Sequence, residues 1–597
     1  MSLVKCSTIL VAIKEAPPYV ALSYAWGDPS VTKEVLLDEK RVEVTASLES
    51  ALRHLKNSVD SSLALWVDYL CIDQGNEVEK AQQVSHMRDI YATASRVVVW
   101  LGVQETIQDI GLAIDWIDHF GDRAHRLGIG RTPARVLRKL LSPTDDHPSG
   151  AVEELDQRDI SDFVESLTTS LDASRNPHYE RLMAALQGFL SVAYWRRIWV
   201  VQEFTVATSH EFICGSRSFD FMCLHYALRV LRNFKYWQLT TTATEVSQQH
   251  HLIDHKTAIP IDTRCAMSLF KTYHDGKSDL MLLLSRFTHF KSSDPRDRIF
   301  ALLGIAGDAG ELGIVPDYTK TCAQVYTEAA RALVEHGFFD IFSYCIYPHI
   351  GPQNMQSWVP DWSRVQTRYP LQERITKVHK SSWLQPDFHA SKHLGQPTLH
   401  LDKTGIWNTA LQLQTIEVCT VTAVGSPWET EGHGKWLHSL QVLAMFASPY
   451  TCDHDKTTHA IWSTALAGQQ LRKEDTKPRI SAETIVELDR AVGGKCLSNV
   501  TSSTLVNAGM ASFAEAMQVV GHGRRTFSTS TGKLGCGPQE IQVGDVIVIV
   551  TGAQVPCVVR KRTDIDRYLM LGEAYVHGYM DGEAVDSDAI IDSLLLC

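Results

Sequence analysis

The 597-residue sequence contains no apolar run long enough to cross a bilayer, so no membrane span is expected. Its first residues, Met1–Val11, hold one lysine and no apolar segment followed by a small-residue cleavage site, so they do not read as a secretory leader and a cytoplasmic protein is expected. The 13 cysteines form no CxxC pair and no Cys/His spacing of a zinc site, so reduced and mostly buried thiols are expected. There is no GxGxxG and no GxxxxGK[ST], hence no signature for dinucleotide or P-loop phosphate binding. GxSxG and HExxH are missing too, which argues against a serine hydrolase or a zincin. Dense lysine and arginine runs are lacking and the formal net charge is -12. Such a surface repels phosphate backbones, so nucleic acid is not an expected partner.

What is present is globular in character. A hydrophobic content of 44% with 21% charged residues excludes wholesale disorder. The length predicts three or four folding units at about 100–200 residues each.

The N-terminal third reads as a small parallel sheet. Val20–Tyr24 predicts a strand that ends in the turn-forming Trp26-Gly27-Asp28-Pro29. Ser47–Leu55 predicts a short helix. Leu63–Leu70 is apolar nearly throughout, as a strand covered on both faces would be. Glu77–Ser95 predicts a helix with a stripe of Val78, Ala81, Val84, Met87, Ile90, Tyr91 and Ala94. Val97–Leu101 predicts a third strand. Alternation of strand and helix is the pattern of a parallel α/β sheet. Ile107–Phe120 predicts a helix, and 122–180 an irregular insertion with a loop at Ser142–Pro148. Tyr194–Thr208 predicts a further helix and His210–Gly215 a strand.

Beyond residue 221 the pattern changes. The stretch to about 400 predicts mainly helix, with Cys322–Glu335 its clearest example. Residues 401–520 carry no readable pattern. From 521 the chain turns β-rich, and short strands at Gly544–Gly552, Val555–Arg560, Tyr568–Leu571 and Tyr575–Tyr579 predict a small barrel or meander. The expected division is therefore 1–220 (with a helical insertion at about 104–190), 221–400, 401–520 and 521–597.

Three blocks resemble a known family. They are YVALSYAWG at Tyr19–Gly27, LWVDYLCIDQ at Leu65–Gln74 continuing to VVVWLG at Val97–Gly102, and YWRRIWVVQEF at Tyr194–Phe204 with Cys214-Gly215 after it. In this order they resemble the heterokaryon-incompatibility (HET) family of filamentous fungi. DPRDRIFALLGI at Asp294–Ile305, PDY at Pro316–Tyr318, SWVPDW at Ser357–Trp362 and the C-terminal GDVIVIVTG…GEAYVHGYMDGEA resemble segments that accompany that domain. Asp73 stands where the family most often has Asn. The resemblance implies a programmed-cell-death effector or signalling module in non-self recognition, working through protein partners or self-association.

The same order of elements, ending in Trp199-Val-Val-Gln-Glu203, is also remotely similar to a TIR domain. That likeness implies NAD as a substrate and no other cofactor. Glu203 would be the catalytic carboxylate, stabilising a ribosyl cation. Tyr24, Trp26, Asp28 and Asp68 would bind the ligand at the carboxyl edge of the sheet. Set against this, Glu203 can simply pair with Arg196 or Arg197, and Asp68 and Asp73 can hold loop amides. Trp26, Trp66, Trp100, Trp195 and Trp199 read first as core residues. Asp294 and Pro295 read as the start of a helix. Glu573, His577 and Glu583 match no familiar metal-ligand spacing.

Overall fold

In a computed structural model of the chain, the described residues are 3–58, 64–102, 109–129, 157–241, 261–349, 351–352, 354–364, 368–372, 388–392, 394, 400–401, 410–430, 432–447, 453–470, 479–493, 496–585 and 589–597. The loop expected at Ser142–Pro148 lies outside them. The chain divides into two compact units, one of Met1–Leu239, Ile253–Glu311 and Val315–Thr319, the other of Thr240–Leu252, Leu312–Ile314 and Lys320–Cys597.

In the first unit the expected parallel sheet is present. Its strands run Ala64–Trp66, Tyr19–Tyr24, Arg96–Trp100 and His210–Cys214 across the sheet, all parallel, with Arg217–Phe219 antiparallel at one edge. The period of two along the first strand sorts its side chains. Val20, Leu22 and Tyr24 join Val98 and Trp100 in a core that includes Leu48, Ala51 and Leu52 of the Ala46–Ser58 helix. Ala21 and Ser23 point to the other face. Strand order places the first and third strands side by side, with the second outside the first. That order makes the carboxyl ends of the first and third strands the switch point of the sheet, the edge at which open α/β sheets bind ligands.

Several sequence expectations need correction here. Leu63–Leu70 is not one strand: pairing stops at Trp66, and Asp68–Cys71 is a helical turn. The Asp68 carboxylate accepts its neighbour's amide, Tyr69 N, at 2.8 Å, and so offers the backbone an alternative to the ladder. The long helix spans Glu77–Thr93, with Asn76 as its cap accepting from Glu79 N at 3.2 Å. Val84, Met87, Ile90 and Tyr91 form its buried stripe, whereas Val78 is exposed. The helix expected at Ile107–Phe120 is present as Ile110–Arg126, and the described part of the insertion is helical as expected, with Gln157–Ser170 inside the stretch read as irregular and Tyr179–Ser191 at its end. Two strands that were not expected, Thr32–Leu37 and Lys40–Thr45, form a hairpin, on which Lys5–Cys6 lays a short parallel strand.

The expected helical middle is present as Phe221–Thr241, Arg264–Asp275, Leu280–Arg286, Asp297–Leu303, Ala309–Leu312 and Cys322–Glu335. Thr321 and Gln324 close a reciprocal cap on the last of these.

The second unit ends in the expected β structure. Leu411–Pro427 pairs with both Val546–Val550 and Asp592–Leu596; Cys557–Lys561 and Tyr568–Glu573 complete a ring of five strands. The long first strand bends through bulges and continues into a second sheet with Arg524–Thr529, Leu534–Pro538 and Tyr575–Val576. Residues 401–520, left unassigned from sequence, supply that strand and the helices His433–Met445, His454–Ala465, Ala482–Val492, Ser502–Asn507 and Ala511–Gly521. Each of the twelve described cysteines is a free thiol, and Cys71 and Cys496 are exposed.

Candidate functional site

The carboxyl edge of the parallel sheet gathers four of the five residues singled out from sequence. The organiser is Arg197, which stands at the cap of the Ile198–Thr205 helix. Its Nη1 donates to the carbonyl of Tyr24 at 2.8 Å and to Glu203 Oε1 at 3.3 Å, and its Nη2 donates to Asp68 Oδ2 at 3.0 Å. The same Asp68 oxygen accepts from Trp26 Nε1 at 2.8 Å. The Trp26 ring lies 5.4 Å from the Arg197 guanidinium and meets Tyr69 edge-on. One cation thus ties the ends of the first and second strands to the third sequence block.

Glu203 has no exposed surface. Its Oε2 lies 2.5 Å from Ser23 Oγ, and Ser23 Oγ lies 3.2 Å from the buried Tyr194 hydroxyl. Burial pushes the Glu203 carboxyl up to about 7, and Asp68 pushes the same way; Arg197 and Ser23 act against the rise. Tyr24 is buried by its strand position, and its phenol is held far above the usual range by burial. Asp28 is not gathered into the cluster. It is exposed and closes a turn by accepting from Ser30 N and Ser30 Oγ. Asp73 likewise accepts from Gly75 N at 3.0 Å. Of the five tryptophans read as core, Trp100 and Trp195 are buried, while Trp26, Trp66 and Trp199 are half-buried.

Ser23, Tyr194 and Arg197 are site residues that sequence reasoning did not single out as such. A lone hydroxyl in a buried apolar strand must find a partner, and this was the available signal for Ser23.

The DPRDR and PDY segments brace the third block from behind. Asp297 accepts from the Tyr318 hydroxyl at 2.6 Å and from Trp199. Asp294 holds Arg296 in a two-pronged pair, and Arg296 Nη1 reaches the Tyr318 carbonyl at 2.5 Å. Lys80, from the Glu77–Thr93 helix, lies 4.2 Å over the Tyr318 ring. The helix itself begins at Asp297, with Asp294 closing the preceding turn.

Two family descriptions match the chain: heterokaryon incompatibility protein (HET) over residues 19–203, and the Het-6 beta-barrel domain over residues 497–596. The chain is a HET-domain protein. It is also similar to "Heterokaryon incompatibility protein 6, OR allele" of Neurospora crassa, at 26% identity over 687 residues, covering 98% of this chain and 92% of the relative. No solved structure matches it. The HET match opens on the strand that carries Ser23 and closes on Glu203, so its two ends meet in the Ser23–Glu203 hydrogen bond. The strand Leu411–Pro427, which completes the five-strand ring, lies outside the barrel match.

Proposed function

We propose that this HET-domain protein serves non-self recognition in a filamentous fungus and triggers programmed cell death there. The observation that carries this reading is the nearly full-length similarity to the Neurospora incompatibility protein, spanning both the HET and barrel segments. On this reading 1–220 is the signalling module, acting in the cytoplasm through a protein partner or a second copy. The segments 221–400, 401–520 and 521–597 govern it. The closed state of Glu203, sealed by Ser23 and Arg197, suits a module that waits for a trigger. Expression in a fungal recipient tests the reading. Growth arrest and death with the intact chain, lost on disrupting the HET segment, are expected; normal growth at equal protein level would refute it.

A second reading keeps Glu203 as the carboxylate of a TIR-like NAD-cleaving site, with Tyr24, Trp26, Asp28 and Asp68 about the ligand. Its support is the placement of Glu203, Trp26 and Asp68 together at the carboxyl edge of a parallel sheet. Arg197 would have to swing away to free the carboxylate. Nicotinamide release from NAD by the purified chain, abolished in Glu203→Ala, is the expected result on this reading; no release, crowded or dilute, removes it.

A further inference from the structure

Tyr194, Ser23 and Glu203 form a row of three buried oxygens, and one hydroxyl hydrogen on Ser23 cannot serve both neighbours. The row therefore has two polarities. With Glu203 ionised, Tyr194 donates to Ser23 and Ser23 donates to the carboxylate. With Glu203 protonated, its Oε2–H donates to Ser23 and Ser23 donates to Tyr194. Across the carboxyl group, Arg197 is a single cation facing two carboxylates, Glu203 and Asp68.

We propose that Glu203 is a proton-operated latch on the HET domain: protonated, it closes the carboxyl edge of the sheet, and ionised, it releases that edge. This goes beyond the cell-death reading and does not rest on it. In the protonated state the cluster is neutral, because Arg197 is balanced by Asp68 alone. Loss of the proton to solvent leaves a desolvated excess of negative charge, which opening to water relieves. The part that moves is set by contact. Trp26 rests on Arg197 and bonds Asp68, and Tyr24 gives its carbonyl to Arg197, so the Tyr24–Gly27 loop and the head of the Ile198–Thr205 helix loosen together.

The other groups packed about the latch do not compensate it. Tyr24 on the same strand, Tyr91 on the Glu77–Thr93 helix and Tyr194 stay neutral, all three phenols held far above their usual range by burial. From the Asp297–Leu303 helix, Asp297 is occupied by Tyr318 and Trp199, and Arg298 by the carbonyls of Phe287 and Thr288. From Arg264–Asp275, Arg264 is bound to Asp262, Lys271 is exposed, His274 meets His225 and Asp275 pairs with Arg286. Desolvation puts the carboxyl in the neutral range, at about 7.

Amide hydrogen exchange on the full chain, corrected for the intrinsic pH dependence, tests the latch. Protection of residues 19–27 and 197–205 should fall about tenfold between about pH 6 and about pH 8. Glu203→Gln keeps an N–H donor toward Ser23 and should stay closed at both ends of the range. An identical fall in Glu203→Gln, or no fall in the wild type, overturns the proposal. Tyr194→Phe removes Ser23's donor in the ionised row as well as its acceptor in the protonated one, and the charge-assisted row loses more, so the midpoint should rise by up to about one pH unit; an unchanged or lowered midpoint overturns the relay. If Glu203→Gln does not accumulate, infrared spectra of the wild type decide. A protonated carboxyl band lost with the same midpoint supports the latch, and a carboxylate already ionised at the acid end refutes it.

Discussion

Among the described residues, Glu203 in the first unit and Glu573 in the second are both fully buried carboxyls paired with an arginine, and the two clusters are balanced in opposite directions. In the second unit Arg524 and Glu573 have no exposed surface and lie 2.5 Å apart. Arg524 also donates to the carbonyls of Val520 and Tyr369, and Glu573 accepts Leu371 N. Arg368 is buried nearby, its guanidinium pushed down to about 10 by burial and by Arg524, and still charged at neutral pH. That cluster sets two cations, Arg524 and Arg368, about Glu573, with the burial-raised carboxyl of Asp340 also within reach of Glu573. The cluster on the HET sheet has one cation for two carboxylates. Surplus guanidinium cannot shed its charge near neutrality, but a surplus carboxyl can, by taking a proton. The first arrangement is a fixed tie between strands and loops. The second can be set and reset.

Breaking each pair at its cation should expose the difference. Arg524→Met strands Glu573 in a site with no solvent, and should lower stability by about 3–5 kcal/mol in urea unfolding. Arg197→Met leaves two buried carboxyls, Asp68 and Glu203, but Glu203, already raised to about 7, can protonate in response. Its cost should be smaller, about 2–4 kcal/mol, and should shrink as the pH is lowered. Equal, pH-independent costs for the two variants would erase the distinction.

The brace behind the HET sheet ranks next. Asp297→Ala deprives the Tyr318 hydroxyl and Trp199 of a buried acceptor, and should cost about 2 kcal/mol, read as a shift of the unfolding midpoint. Loss of protection should reach the Ile198–Thr205 helix. If it stays within 294–318, those segments are only a covering layer.

The pH dependence of the wild type is smaller and has a definite sign. The Glu203 carboxyl is raised from 4.5 to about 7, so its contribution is full below the lower value and is lost as pH rises through the upper one. His210 and His225, lowered by burial to about 4, act oppositely, losing stability as pH falls from 6.5. Asp340 in the second unit, raised by burial to about 7, follows Glu203. Their unfolded imidazoles still release protons up to about pH 7.5, so the Glu203 step is read as the difference between the wild type and Glu203→Gln. The Glu203 step to about pH 8 should then cost the HET unit about 1 kcal/mol, absent in Glu203→Gln.

How much of this the sequence carried depends on the range of the interaction. Parallel strands buried on both faces announce themselves as apolar runs, and 19–24 and 96–100 were legible for that reason. The end of the second strand was not: Asp68 turns the chain by accepting Tyr69 N, and its bonds to Trp26 and Arg197, far away in sequence, hold it there. The hairpin at 32–45 alternates visibly, and its turn holds Asp38 and Glu39 at positive φ, a conformation Asp adopts readily but Glu does not advertise. The strand 411–427 also begins in alternation, but its bulges shift the parity midway, and a fixed period loses it. At the site, the remote likeness to a TIR domain pointed to Glu203, Trp26 and Asp68, and the residues themselves offered Arg196 or Arg197 as partners without choosing. The choice came from the cap position of Arg197, which points both arms of its guanidinium at the sheet edge.

Asp28 sharpens the comparison from the other end. It sits two residues beyond Trp26 in the same loop and was grouped with it on sequence grounds. Its carboxylate is exposed, and the turn bonds to Ser30 hold it below its usual range. Neither end of the Arg197 bridge depends on it, since the bridge is anchored on the Tyr24 carbonyl and on Asp68. Asp28→Ala should therefore leave the unfolding midpoint, the pH step and the exchange of 197–205 unchanged. Asp68→Ala, one cation contact and one indole contact away, should alter all three. If Asp28→Ala shifts the pH step as well, the titrating group is shared along the loop, and the contrast between a sealed carboxyl and a solvated one no longer explains the edge of the HET sheet.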